Sequence, residues 1–180
     1  VDDGSTDRSA EIAKWKGVET IEVLKNKGKG NALRVGFERL VGAGYEWVII
    51  LDSDGQHLPE EIPNFIEKAH EKECDIVNGN RLESPEGMPL IRYGTNCFMS
   101  SVVSLVSGQK ICDSQCGYKM ISSKLLRAVP LSSDRFEIED EILLEAARRK
   151  FKIASVPVTC VYGKERSHIN PLRDTLRFFK

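Results

Sequence analysis

The sequence contains no long apolar run and no excess of basic charge. The longest apolar candidate, Cys97 to Val106, is too short to span a membrane and is interrupted by serines. The formal net charge is -1, from 26 Lys and Arg against 27 Asp and Glu. We therefore expect no nucleic acid as a partner. A hydrophobic fraction of 41% in 180 residues is typical of a globular domain with its own core.

The cysteines are odd in number and form no zinc motif. Five are scattered along the chain with no signal peptide before them: Cys74, Cys97, Cys112, Cys116 and Cys160. We interpret them as reduced thiols of a domain that faces the cytosol. Cys112 and Cys116 form one C-x3-C pair, whereas a structural zinc site requires four ligands. No second pair stands nearby, so the sequence predicts no zinc centre.

The chain begins abruptly. It starts with Val1 rather than Met and enters an acidic motif at once, with no strand before it. We expect one domain over residues 1–180 that is truncated at its N-terminus.

Helical and strand patterns alternate along the chain, which predicts an α/β fold with a largely parallel sheet. Predicted helices cover residues 5–15, 31–41, 59–71, 91–107, 139–150 and 171–180. Predicted strands cover residues 20–24, 47–51, 75–79, 117–121 and 151–158. Ser5 and Thr6 are expected to cap the first helix.

The clearest motif follows the apolar strand at 47–51. Asp52 and Asp54 stand one residue apart around Ser53, and Gln56 comes next. Ligands of open α/β sheets bind at the carboxyl ends of strands. Two neighbouring carboxylates can share a hard cation that keeps positions open for phosphates and neutralises a leaving diphosphate. A solvated acidic turn fits the motif equally well when it is taken alone.

Two further segments stand at predicted strand–helix junctions. Asp2 and Asp3 are placed to accept hydrogen bonds from a nucleobase or a ribose. Helix capping explains residues 5–7, but it does not explain the acidic pair. In residues 26–32, glycines allow the backbone to approach a ligand and lysines can screen phosphate charge. The spacing is not that of a P-loop, and an exposed turn fits this segment as well.

Taken in order, these motifs resemble glycosyltransferase family 2, and in particular its dolichyl- and polyprenyl-phosphate sugar transferases. The ordered set is Asp2-Asp3-Gly4-Ser5-x-Asp7, then Asn26-x-Gly28-Lys29-Gly30-Asn31-Ala32, then Asp52-x-Asp54-x-Gln56-His57. Residues 79–81 are similar to a Gly-Ser-Arg segment of that family, and residues 113–119 to its Asp-x-x-x-Gly-Phe-Arg segment. The resemblance covers nearly the whole chain.

The resemblance implies the GT-A nucleotide-diphospho-sugar transferase fold, a Rossmann-like mixed sheet, here without its first strand. The implied nucleotide-sugar-binding residues are Asp2, Asp3, Lys29, Asp52, Ser53, Gln56, Asp113 and Gln115. The implied ligands of a Mg²⁺ or Mn²⁺ ion are Asp52, Asp54 and Gln56. The implied catalytic residues are Asp54, Arg81, Glu139 and Asp140. Arg81 would meet a donor or acceptor phosphate, to which a guanidinium fork is suited.

The resemblance also implies inverting transfer from a nucleotide-diphosphate sugar to a polyprenyl phosphate at the cytosolic face of a membrane. A phosphate acceptor is already ionised. The alternative acceptor, a saccharide hydroxyl, requires a general base such as Glu139 or Asp140. A non-catalytic nucleotide-binding module is the third interpretation.

Two features near the C-terminus bear on the acceptor. His168 stands where the mannosyl branch of the family carries a Lys, with Lys164 and Arg166 close by. An apolar stripe in residues 169–179 fits docking on the protein better than peripheral contact with a membrane.

Overall fold

The computed structural model describes residues 1–162, in which a four-stranded sheet is covered by helices. The helices are α1 (Ser9–Trp15), α2 (Lys29–Gly42), α3 (Ile62–Lys72), α4 (Leu90–Ser107), α5 (Ser123–Ala128) and α6 (Ile138–Arg148). A single 3-10 turn over Pro59–Glu61 precedes α3. The strands are β1 (Trp47–Ile50), β2 (Ile76–Asn80), β3 (Lys119–Ser122) and β4 (Ile153–Pro157).

The sheet is mixed, with the strand order β1-β3-β2-β4. β3 runs antiparallel to both of its neighbours, whereas β2 and β4 are parallel. The prediction of a largely parallel sheet is therefore wrong, and the mixed sheet implied by the family resemblance is observed. A strand that is buried on both faces has an apolar sequence whether its neighbour is parallel or antiparallel. The run at 47–51 consequently predicts a buried strand without predicting its pairing.

Alternation along each strand sends side chains into two cores, one on each face of the sheet. Val48 and Ile50 of β1 belong to the core beneath α2, α4, α5 and α6. Trp47 and Ile49 pack against the second core, whose central residue is Phe65 of α3. The carboxyl ends of β1 and β2 thus emerge from a sheet that is packed on both sides, which fixes the position of the residues that follow them.

The N-terminal segment differs from its prediction. α1 begins at Ser9, because the Ser5 hydroxyl donates to Asp2 instead of capping a helix, and the Asp7 carboxylate accepts from the Ser9 N–H at 2.9 Å. The strand predicted at 20–24 is reduced to one parallel bridge between Asp2 and Glu22.

The other predicted helices and strands are present, with shifted ends, except at the C-terminus. α5 was not predicted; its N-cap is Ser122, whose hydroxyl accepts from the Leu125 N–H at 3.3 Å. The helix predicted at 171–180, like the residues near His168, lies outside the described residues. Within residues 1–162, no helix is both long and apolar enough to cross a membrane.

Candidate active site

The acidic motif forms a tight turn directly after β1. Asp54 accepts a hydrogen bond from the backbone N–H of Gln56 at 3.0 Å, and Gly55 adopts a positive φ of 75°. The backbone carbonyl of Gln56 accepts from the Val161 N–H at 2.9 Å. These hydrogen bonds hold the turn at Asp54 and Gln56, while the side chains of Ser53 and Asp54 remain exposed.

Lys29 connects this turn to the beginning of α6. Its ammonium lies 2.7 Å and 3.0 Å from the two carboxylate oxygens of Asp52 and also donates to Glu139. Burial by itself lowers the pKa of Lys29, but the charges of Glu139 and Asp52 outweigh that effect and raise it. The lysine is therefore a fixed cation between two carboxylates from separate parts of the chain.

Lys29 is held in place by a close approach of two backbone segments. A Cβ on Gly28 would lie 2.4 Å from the Asp134 carbonyl oxygen, and one on Gly30 would lie 2.1 Å from that of Ser133. The Gly30 N–H donates to the Asp134 carbonyl at 2.8 Å. The sequence predicted that these glycines admit a ligand. In the structure, the space that these glycines leave is filled by the backbone of the loop before α6. No local sequence pattern indicated this contact.

Asp3 orders the same loop from the other side. Its carboxylate accepts from the backbone N–H groups of Lys27, at 3.1 Å, and Gly28, at 2.7 Å. Asp2 is instead turned toward Ser5, whose hydroxyl and N–H hydrogen bonds lower the pKa of the Asp2 carboxyl. Asp3 therefore supports the Lys29 segment, whereas Asp2 orders its own turn, and the predicted contact of the two with a nucleobase or ribose stays a prediction.

Gly117 closes the site from the side of β3. A Cβ at this position would lie 2.8 Å from an Asp52 carboxylate oxygen and 3.2 Å from the Lys29 ammonium. A side chain here would shift the ends of the Asp52 and Lys29 side chains, so glycine leaves the ion pair in its observed position. The sequence pattern placed Gly117 in a family motif but did not indicate this contact.

Arg81 and Asp113 form a buried, bidentate ion pair beyond the end of β2. Arg81 donates from Nε at 2.8 Å and from Nη2 at 3.0 Å, and its backbone N–H donates to the same carboxylate at 3.2 Å. Arg81 is 4% exposed and Asp113 is fully buried. Arg81 was predicted to bind phosphate and Asp113 to bind the donor. In the structure the two side chains bind each other, and both predicted roles stay predictions.

Asp140 and Gln115, which were predicted separately as site residues, are hydrogen-bonded to each other. The Gln115 amide donates to both carboxylate oxygens of Asp140, at 2.9 Å and 3.1 Å. Burial raises the pKa of Asp140 to about 6, against the opposing effects of the Gln115 hydrogen bond and the charge of Lys119. A carboxylate with a pKa near neutrality suits proton transfer.

Lys119 is fully buried behind this loop, and the sequence analysis placed it in a family segment without giving it a role. Lys119 donates to the Asn78 side-chain oxygen at 2.6 Å and to the backbone carbonyls of Cys116 and Ser114. These contacts fix the loop that carries Gln115 against β2. The signal was available, since a lysine in a buried strand and an asparagine at the centre of another are both uncommon unless paired.

His57 lies at the rear of the acidic turn. It is 6% exposed and its ring is 5.2 Å from that of Tyr118. Within residues 1–162, its Nδ1 is buried without a hydrogen-bond partner. Burial and then the positive charge of Arg81 lower the pKa of His57, so the imidazole is neutral at pH 7.

The donor atoms of the acidic turn fit a hard divalent cation. Asp52 and Asp54 offer carboxylate oxygens, whereas the Gln56 side-chain oxygen accepts from the Cys160 thiol at 3.7 Å. Among the residues that the structure describes, no three His, Cys, Asp or Glu side chains are grouped to hold a metal ion. Mg²⁺ and Mn²⁺ sites that take few protein ligands leave the other positions to phosphates and water, which is the arrangement these residues allow.

Comparisons with known proteins identify the family and the fold. The profile of the family described as Glycosyl transferase family 2 matches residues 1–129. The chain is 29% identical over 184 residues to a UDP-N-acetylglucosamine–dolichyl-phosphate N-acetylglucosaminyltransferase of Methanococcus voltae, covering 90% of this chain and 73% of that protein. It is 28% identical over 174 residues to an undecaprenyl-phosphate mannosyltransferase of Micrococcus luteus, covering 89% of this chain and 70% of that protein.

A solved structure has the same fold. Glucosyl-3-phosphoglycerate synthase of Mycobacterium tuberculosis, in complex with Mn²⁺, uridine diphosphate and glucosyl-3-phosphoglycerate, matches with a TM-score of 0.69 at 19% identity. The match covers 98% of this chain and 62% of that chain, so this chain spans less than two thirds of its length. The predicted α/β GT-A fold is confirmed. Because the family match covers more than two thirds of the sequence and the fold agrees with it, the chain belongs to glycosyl transferase family 2.

Proposed function

We propose that this chain transfers a sugar, with inversion at the anomeric carbon, from a nucleotide-diphosphate sugar to a polyprenyl phosphate. The observation that carries the proposal is the Lys29 ammonium, which joins Asp52 of the acidic turn to Glu139 of α6 at the end of β1. The names of the relatives from Methanococcus voltae and Micrococcus luteus support a polyprenyl-phosphate acceptor. Such an acceptor places the reaction at the cytosolic face of a membrane.

On the donor side, Asp52 and Asp54 would hold a Mg²⁺ or Mn²⁺ ion, which when bound neutralises charge on the leaving diphosphate. The complex of the mycobacterial synthase with Mn²⁺ and uridine diphosphate supports this choice of cofactor. Lys29 supplies a second positive charge that is already desolvated and oriented by two carboxylates. Gly117 leaves room for the Lys29–Asp52 ion pair. The charges that would face the donor diphosphate are therefore oriented before the donor binds.

On the acceptor side, Arg81 provides a guanidinium that Asp113 keeps from rotating. Because Nε and Nη2 are engaged by Asp113, the Nη1 group would be the donor to a phosphate oxygen, and burial excludes competing water. A phosphate acceptor attacks as an anion, so this reaction requires no proton transfer to the protein.

A second candidate acceptor is a saccharide hydroxyl, and the environment of Asp140 favours it. This carboxylate is 6% exposed, is oriented by Gln115 and has a pKa raised to about 6. It would take the proton of the hydroxyl as the bond to the anomeric carbon forms. Glu139 is less suited to that role, because the Lys29 ammonium already occupies its carboxylate.

A transfer assay separates the two acceptors. The protein is supplied with Mn²⁺ and a UDP-sugar, with either a short polyprenyl phosphate or a soluble saccharide. The substitution Asp140→Asn should leave transfer to the phosphate within about threefold and reduce transfer to the hydroxyl by about a hundredfold or more. Glu67→Gln, on the exposed side of α3, is the matched control. Binding of UDP with no transfer to either acceptor would support a nucleotide-binding module and contradict the proposal.

A further inference from the structure

The ammonium of Lys29 contacts both carboxylate oxygens of Asp52, a residue that would hold the divalent cation. The N···O distances are 2.7 Å and 3.0 Å. A metal ion would take lone pairs of the same two oxygens. Two cations on one carboxylate also repel each other, and the repulsion is strong where the protein partly excludes water. Lys29 and a divalent cation are therefore competing partners of Asp52.

Glu139 gives Lys29 a second partner, so the lysine can release Asp52 without becoming an unpaired buried charge. The Lys29 ammonium also donates to Glu139, whose side chain is 10% exposed, against 40% for Asp52. Burial lowers the pKa of Lys29, and among the opposing charges that of Glu139 raises it more than that of Asp52 does. The stronger of the two attractions is thus the one that a cation at Asp52 leaves in place.

Asp52 is open to solvent on one side and closed on the other. Its side chain is partly exposed and Asp54 is exposed, so a cation can reach both carboxylates without rearrangement of the sheet. On the closed side, a Cβ at Gly117 would lie 2.8 Å from an Asp52 oxygen and 3.2 Å from the Lys29 ammonium. The backbone at Gly117 therefore leaves no space on its side into which the ammonium could move.

The charges of this cluster favour a cation that arrives together with a diphosphate. Asp52, Asp54 and Glu139 carry three negative charges, and Lys29 carries one positive charge. A single divalent cation balances the excess. A diphosphate then adds negative charge beside an ammonium that has lost one of its two carboxylate partners, and the ammonium regains a second partner by pairing with it.

We propose that Lys29 and the divalent cation exclude each other at Asp52, and that the nucleotide diphosphate drives the exchange by pairing with the displaced ammonium. The cation alone then binds weakly, because it must first break the Lys29–Asp52 ion pair. Each ligand increases the affinity for the other, which is a positive coupling between metal and nucleotide. This exchange rests on the proposed function for the position of the cation, and it adds a reason why metal and donor bind together.

Titration with Mn²⁺ in the absence of nucleotide tests the exchange. Electron paramagnetic resonance measures free Mn²⁺, because the hydrated ion gives a signal that the bound ion loses. At about 0.1 M salt, Lys29→Met should bind Mn²⁺ at least about tenfold more tightly than the wild type, because Asp52 is then free. Lys27→Met is the matched control. It removes the same charge from an exposed side chain two residues away, and its affinity should change by less than about twofold.

A second variant keeps the test valid if Lys29→Met fails to fold. That single change leaves Glu139 buried without its partner, which is destabilising. The double variant Lys29→Met, Glu139→Gln removes both charges and keeps the net charge of the wild type. It should also bind Mn²⁺ at least about tenfold more tightly, an increase that a change in net charge cannot explain. Urea unfolding of each variant establishes that the folded protein is titrated.

Titration with Mn²⁺ in the presence of UDP measures the coupling and requires no variant. Saturating UDP should tighten the binding of Mn²⁺ to the wild type by at least about a hundredfold, after allowance for the Mn²⁺ that UDP binds in solution. In Lys29→Met the effect of UDP should be at least about tenfold smaller. The variant has lost both the competing ammonium and its attraction for the diphosphate.

Three outcomes would overturn the exchange. One is an Mn²⁺ affinity of the Lys29 variants equal to or weaker than that of the wild type, which would assign Asp52 to Lys29 and the cation to other ligands. Another is an increase that Lys27→Met shares in full, which would reflect long-range charge. The third is no effect of UDP on the binding of Mn²⁺ to the wild type. Absence of transfer to any acceptor, with the exchange intact, would refute the proposed function alone.

Discussion

Replacing Asp140 by Asn is expected to stabilise the folded protein at neutral pH. The side chain is 6% exposed, and its burial raises the pKa from 3.8 to about 6. Because the folded state binds this proton more tightly than the unfolded chain does, ionisation of the carboxyl opposes folding. The stabilisation from the protonated form is complete below about pH 4 and is lost as the pH rises through about 6.

The magnitude of the effect follows from the shift in the pKa of Asp140. One unit corresponds to about 1.4 kcal/mol, so the full shift corresponds to about 3 kcal/mol. Between about pH 4.5 and about pH 7.5, linkage gives a loss of about 2 kcal/mol in the wild-type free energy of unfolding that the variant lacks. The changed hydrogen bond with Gln115 is present at both pH values and cancels in this comparison.

Urea unfolding at the two pH values measures this difference. Wild type and Asp140→Asn are compared with Glu67→Gln, whose carboxyl is exposed on α3. The free energy of unfolding of Asp140→Asn, relative to wild type, should increase by about 2 kcal/mol from the lower to the higher pH, and that of the control should not change. A change below about 0.5 kcal/mol for Asp140→Asn would refute the argument that the buried carboxyl titrates near pH 6.

Three further changes test the geometry of the site. In a double-mutant cycle of Lys29→Met and Glu139→Gln, unfolding free energies should show a coupling of about 2–3 kcal/mol, and additivity would contradict a buried ion pair. Gly117→Ala should weaken calorimetric UDP binding with Mn²⁺ by at least about tenfold through displacement of that pair, whereas Gly42→Ala, which meets nothing within 4 Å, should bind normally. Arg81→Lys should lose about 2 kcal/mol of stability in urea unfolding together with transfer activity, because an ammonium cannot replace the bidentate fork; normal activity would argue against Arg81 in the acceptor site.

Local sequence patterns predicted those parts of the molecule that local forces determine. The apolar residues of β1 require burial, and the acidic turn after it follows from the end of that strand. Pro59 is the first residue of the 3-10 turn, and Pro89 directly precedes α4, as the fixed φ of proline allows. Gly108 ends α4 with a positive φ of 67°.

Contacts between distant segments were beyond the reach of the patterns. The Lys29–Glu139 contact joins residues 110 apart in sequence, and Arg81 and Asp113 are 32 apart. Motif order placed each of these residues near the site without indicating that they pair with one another. The fold decides such pairings, because they depend on which strands become neighbours. The direction of β3 decides where the loop that ends at Gly117 meets Asp52.

Calorimetric titration of UDP with and without Mn²⁺ tests the central claim most directly, namely that the turn after β1 and Lys29 form one site for a cation and a diphosphate. Wild type should bind UDP only when Mn²⁺ is present, and Asp54→Asn should lose that binding while its unfolding free energy stays within about 0.5 kcal/mol of wild type. Equal affinity with and without the metal, or unchanged binding by Asp54→Asn, would contradict the account.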